Sequence, residues 1–253
     1  MSHAIPTVMV RSPAAEDGWH FLYRTAAVCA LISVALFLFQ IVAFFVWPPP
    51  STVAGHYALL HARPLVGLVS LDFVILVDEV LGIPILLALY LSLRHVHESL
   101  VLIATGLSVV STVCFLSGNP SLNMLYLSQQ YAAATTDTAR DGLLGAGQAV
   151  LSSWQGTPYQ AAYVVGTIAM LILSSVMLRS AVFSKLTAYV GIVASVVGFG
   201  LYVPRIGVYI SILSVVAMQV WYVMIALSLF RLSGPARHPA IDPENRNTVK
   251  LHA

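Results

Sequence analysis

The sequence predicts an all-α fold, a polytopic bundle of six transmembrane helices, and three observations carry that prediction. Hydrophobic residues fill 58% of the 253 positions and charged residues only 9%, against about a quarter charged in a soluble domain. The apolar residues fall in uninterrupted runs of about 20, the length that crosses about 30 Å of hydrocarbon. Lysine and arginine favour alternate connecting segments, as they do when a chain is threaded back and forth through a bilayer.

The first 20 residues lack the basic start and short apolar stretch of a cleavable signal, and Glu16 and Asp17 precede the first apolar run. Residues 1–24 read as a cytoplasmic segment before the helical domain, 25–231. The first span covers about 25–47 and is closed by Pro48, Pro49 and Pro50, which cannot continue a helix. Trp47 at its end suits the headgroup region. The second stretch, about 64–93, is apolar except for Asp72, Asp78 and Glu79; the third runs over about 99–118. The fourth, fifth and sixth cover about 158–178, 186–203 and 206–230. The tail, 232–253, is rich in proline and charge and reads as a disordered cytoplasmic extension.

With the amino terminus inside, the cytoplasmic segments hold Arg11, Arg24, Arg94, Arg179, Lys185, Arg231, Arg237, Arg246 and Lys250. The outer segments hold Arg63, Arg140 and Arg205. Both termini are therefore expected in the cytoplasm, and the bilayer is expected to be the plasma (inner) membrane. A net charge of +2 with scattered basic residues excludes nucleic acid as a partner. Cys29 and Cys114 fall at opposite expected depths, too far apart for a disulfide, and read as packing residues.

The outer loop between spans three and four, 119–157, is expected to hold short interfacial helices. Asp137 follows two threonines and is placed to cap one. Beyond it Leu143, Leu144, Gly147, Val150, Leu151 and Trp154 repeat on one helical face. That face is read as lying on the outer surface with Trp154 as an anchor; the sharper alternative is a lid over a cavity between the helices.

The stretch LDFVILVDEVLGIP, residues 71–84, carries the chemistry. At about 1.5 Å per residue, Glu79 stands about 21 Å and Asp72 about 32 Å above the inner end of the second span. Charged groups at such depth must face the bundle interior, be paired, or be protonated. Asp72 and Glu79, seven apart, share a face of a continuous helix, and Asp78 points about 100° away. The candidate ligand or ion pocket is Asp72, Asp78 and Glu79, with Gln40 and with Arg205 in the turn between spans five and six. Binding of a cation or relay of protons competes here with a purely structural, hydrogen-bonded role.

Several chemistries are absent from the sequence. No span carries a lysine for a retinal Schiff base or a histidine for a haem. No zinc-protease helix, nucleophile turn or phosphate loop appears. The spacings of the histidine pairs His95/His97 and His56/His61 match no known zinc helix. No catalytic residue, metal or cofactor is expected, and the reading leans against an enzyme.

The segments FVWPPPSTVAGHYALL, VSLDFVILVDEVLGIPILLALYLSLR, NPSLNMLYLSQQYAAATTDTARDGLLGAGQAVL and VMLRSAVFSKLTAYVGIVAS resemble the multi-pass membrane proteins grouped as domain of unknown function family 4386. The resemblance covers about residues 23–232. It implies a bacterial or archaeal integral membrane protein with this helix order, and it assigns no ligand residues. The function expected is the handling of a small molecule or ion through an outward-facing polar pocket. The alternative is a non-catalytic membrane component, binding lipid, another copy or another membrane protein through small-residue faces. Those faces are Gly106, Ser108, Ser111 and Thr112 on the third span, and Gly191, Ser195, Gly198 and Gly200 on the fifth.

Overall fold

The computed structural model describes residues 13–234. The expected tail and the first 12 residues lie outside that range or nearly so: residues 1–12 and 235–253 are not among those described. Within the described residues the chain is all helical, with no strand. Helix α1 (Pro13–Val46) runs up to the three prolines, which lack the amide a further turn would need. Helix α2 (Val53–Ala62) starts on Thr52, whose hydroxyl accepts the Gly55 amide at 3.1 Å. Helix α3 (Pro64–Val69) is one short piece, and a turn over residues 70–72 separates it from α4 (Phe73–Gly118). The second apolar stretch is thus two helices rather than one.

Helix α4 is 46 residues long and breaks once, at His97, whose backbone is extended (φ −160°, ψ 87°). The His97 ring nitrogen Nδ1 accepts the Leu100 amide at 3.3 Å and so caps the second arm. The two arms, before and after His97, are about 36 Å and 32 Å long at 1.5 Å per residue. Helices α5 (Ser121–Ala133) and α6 (Asp137–Gln155) follow. The cap of α6 is Thr136, not Asp137: its hydroxyl accepts the Ala139 amide at 3.3 Å. Asp137 lies in the first turn instead, where the helix dipole favours a carboxylate. Then come α7 (Thr157–Met177), with Pro158 in its first turn, and α8 (Lys185–Gly198), capped by Ser184. A 3₁₀ turn (Phe199–Tyr202) leads to α9 (Gly207–Leu232).

Helix α1 packs on α4 and α9, α4 on α7, and α8 on α7 and α9. Their shared core is built from Ala26, Ala27, Ala30, Ala88, Ala104, Ala188 and Ala226, filled by Leu89, Leu93, Met177, Ile225 and Leu229. Alanine lets helix axes approach closely, which is how helices associate when no water drives them together. Gly191 of α8 goes further, because a Cβ there would meet the Ser174 hydroxyl and the Trp221 indole.

A second cluster sits at one end of the bundle, the capped end. Val53, Tyr57 and Leu60 of α2 meet Leu71 and Met124, with Leu144, Val150, Leu151 and Trp154 of α6 around them. The apolar face foreseen on α6 exists, and it packs against α2 and α5. Gly147 in that face leaves room for Tyr57 and Val53, and the Tyr57 hydroxyl donates to the Leu143 carbonyl at 2.8 Å.

Five helical stretches are long and apolar enough to cross a membrane: Trp19–Val46, Phe73–Ala133, Asp137–Met177, Lys185–Tyr202 and Ile212–Leu232. Their outer surfaces are apolar. Phe21 (74% exposed) and Phe45 (86%) point away from the bundle, with Leu38, Val42, Val109, Val113 and Leu213 exposed as well. A water-soluble surface does not carry apolar side chains in such continuity.

Candidate functional site

Asp78 and Glu79 lie in the second turn of α4, adjacent in sequence and therefore about 100° apart around the helix. That angle sends them to different neighbours. Glu79 accepts a hydrogen bond from the Thr112 hydroxyl of the second arm at 3.0 Å. Asp78 faces α1, where the Ser33 hydroxyl is its hydrogen-bond partner. Ser33 is buried and stands 14 residues from Trp19 and 13 from Val46, about 20 Å from either end of that stretch. The two acids therefore occupy the middle of the bundle. Tyr222 of α9 lies close enough to both for their charges to act on its hydroxyl.

This layer is rich in acceptors. Asp78 Oδ1 and, one turn from Tyr222, Gln219 Oε1 are buried with no hydrogen-bond partner. Among the described residues the ion pair present is Arg140 with Asp137, at 3.9 Å on the surface. No basic side chain pairs with Asp72, Asp78 or Glu79 within 4.0 Å among those residues. A carboxylate removed from water with hydroxyl partners alone must take up a proton or a cation to rest there.

Asp72 belongs to a different layer, about 9 Å nearer the capped end. It occupies the turn between α3 and α4 with φ 59°, the left-handed region that costs a residue with a Cβ about 1–2 kcal/mol. Three side chains hold it. Asn119 Nδ2 donates to its carbonyl at 3.2 Å, and Gln40 Nε2 donates to the Val69 carbonyl at 2.9 Å and to the Asp72 carboxylate at 3.3 Å. The Trp154 indole also hydrogen-bonds the carboxylate, bringing α6 down onto the turn.

Of the five residues the sequence nominated, Gln40 and Asp72 are brought together, and Asp78 and Glu79 lie one layer deeper. The common stripe expected for Asp72 and Glu79 assumed a continuous helix and does not form, because the turn at 70–72 resets the rotation. Arg205 is exposed in the turn before α9 at φ 71° and pairs with none of the acids. Ser33, Thr112, Asn119, Trp154 and Tyr222 were not nominated. Their signal was available: each is a polar or amphipathic side chain within or beside an otherwise apolar run.

The small-residue faces find partners inside the chain. Ser111 donates to the Ala162 carbonyl at 2.8 Å and Thr112 to Glu79. Gly191 meets Ser174 and Trp221, Gly198 meets Tyr163, and Gly200 meets Ile210. Gly106 alone of the named glycines has open space beside it.

Five apolar stretches of spanning length around half-buried acids are the features of an α-helical membrane protein. Comparison with protein-family models, with curated proteins and with solved structures finds no match to this chain.

Proposed function

We propose that this chain is a six-span plasma-membrane (inner-membrane) protein, with both termini cytoplasmic, that handles protons or a small cation at its mid-bundle carboxylates. Six spans are supported by dividing α4 at His97, since each arm is long enough to cross, and by counting α7 separately from α6. The excess of lysine and arginine supports a topology with the His97 turn inside and the α2–α5–α6 cap outside. The resemblance to family 4386 belongs to this proposal and agrees with its topology.

One observation carries the functional reading. Asp78 and Glu79 are held half-way through an apolar bundle by Ser33 and Thr112, with no basic partner within ion-pair distance among the described residues. A structural ion pair would bring an arginine or lysine to such acids, whereas a site that must load and release charge leaves them unpaired. The outer cap reaches Asp72 through Trp154, which supports the lid reading of α6 over a route from outside. The alternative, a component that binds lipid or another membrane protein through helix faces, rests mainly on Gly106.

The reading is tested by reconstituting the purified protein in liposomes containing a pH-sensitive dye and imposing a cation or proton gradient. Flux above that of empty liposomes is expected, falling to background in Asp78→Asn or Glu79→Gln. Equal flux in the wild type and both variants would remove the acids from the mechanism.

A further inference from the structure

We propose that the cavity between α7, α8 and α9 is a binding site for a small, neutral, apolar molecule of about three heavy atoms. Neither Asp78 nor Glu79 lines it, so the site stands apart from the charge handling proposed above.

The cavity has a volume of about 70 Å³. Tyr163, Thr167 and Met170 of α7 close one side, Ala194 and Gly198 of α8 the second, and Met218 of α9 the third. It exists because α8 presents small residues at this level. A Cβ added at Gly198 would stand 3.4 Å from the Tyr163 hydroxyl, 3.6 Å from Thr167 Cγ2 and 3.9 Å from Ser214 Oγ. Those are ordinary contact distances, so a methyl group fits there without displacing a neighbour. At Gly191, two turns earlier on the same helix, the corresponding Cβ would overlap Ser174 and Trp221. The packing around α8 is therefore tight at one level and open at the next.

The chemistry of the lining sets the ligand class. The hydroxyls on the wall have already committed their protons. Tyr163 donates to the Gly198 carbonyl at 2.8 Å, Thr167 to the Tyr163 carbonyl at 2.7 Å and Ser195 to the Gly191 carbonyl at 2.8 Å. Ser214 is a hydrogen-bond partner of the Tyr163 hydroxyl. No charged side chain among the described residues lines the space, so an ion would enter without a counter-charge. What is left to meet a guest is alkyl and thioether surface from Ala194, Val215, Met170 and Met218. Methionine is flexible and polarisable, and it adapts to the shape of what it touches. An engineered apolar cavity of about 150 Å³ stays dry and takes benzene or xenon, and about half that volume suits xenon or a guest of about three heavy atoms.

The methionines supply the readout. The full chain in detergent, with its methionine methyl groups isotopically labelled, is followed by NMR as xenon or cyclopropane is added. Saturable shifts are expected at Met170 and Met218, and none at Met124 and Met177, which are fully buried elsewhere. Methylammonium chloride, whose cation is small but charged, should leave all of them unmoved. Ala194→Leu, which fills the space, should raise the apparent Kd about tenfold or more. Gly198→Ala, whose methyl group fits at contact distance, should fold and raise it about threefold. An unsaturable drift shared by every methionine would overturn the site, because the gas would then be dissolving in protein and micelle alike. A saturable response unchanged in Gly198→Ala would overturn it even if Ala194→Leu does not fold. A saturable response of Met170 and Met218 to methylammonium would overturn the ligand class.

Discussion

The two ends of the molecule are packed by different rules. The main bundle core is dominated by alanines that bring α1, α4, α7, α8 and α9 together, and Gly191 lets Ser174 and Trp221 touch the α8 backbone. The capped end resembles a small water-soluble domain: Tyr57, Leu60 and Met124 fill a compact cluster, and Thr52 and Thr136 cap its helices through their hydroxyls. Between the two lie the acids, in layers where neither rule satisfies every polar atom. The difference teaches that each end packs by a rule of its own, while the acids between them are held by single side chains from other helices.

Three substitutions would break or sharpen that contrast. The largest effect is expected from Gly191→Val, which forces side-chain atoms into Ser174 and Trp221 at a helix contact that has no slack. A loss of more than about 3 kcal/mol, read as a steep fall in the melting temperature of the whole protein, is the expected result. Gly147→Val should act on the capped end alone, pushing α6 away from Tyr57 and Val53 at a cost of about 1–3 kcal/mol. Limited proteolysis in detergent should then cut near residues 134–136 while the bundle melts as before. A parallel fall in bundle stability would show that the two ends are one cooperative unit. The smallest effect concerns His56, 4% exposed on α2. Burial pulls its pKa below the usual 6.5, opposed by a hydrogen bond with Pro50. The unfolded chain then binds the proton more readily, so this group's contribution is complete above 6.5 and is lost as pH falls through the lowered value. His56→Gln should flatten the acid-side decline of cap stability, followed by the same proteolysis between pH 7 and 5.

Much of the fold was legible because lipid imposes long apolar runs and prolines punctuate them. The starts and ends of α7 and α9 fall within a residue or two of the apolar stretches that foretold them. The face of α6 was legible too, since Leu144, Val150, Leu151 and Trp154 recur at helical spacing. Its partner was not, because the same apolar stripe serves a bilayer surface or the side of α2. The break at 70–72 was hidden for a sharper reason. Ser70, Leu71 and Asp72 carry no glycine or proline, and the turn is imposed by Gln40 and Asn119, 30 and 47 residues away from it in the chain. Once that break is in place, Asp72 leaves the stripe it would share with Glu79. The acids themselves were visible as charges at depth, but Ser33 and Thr112 as their holders were a matter of tertiary contact.

The central claim is that Asp78 and Glu79 are kept in the bundle for charge handling rather than for stability. It is tested most directly by the melting temperature of the purified protein against Asp78→Asn and Glu79→Gln, measured from pH 5 to 9. Groups retained for function at the expense of stability should be dispensable to the fold, so both variants are expected to melt at or above the wild-type temperature at neutral and alkaline pH. A fall of several degrees in either variant across that range would mean that the acids and their hydroxyl partners are structural, and would contradict the account.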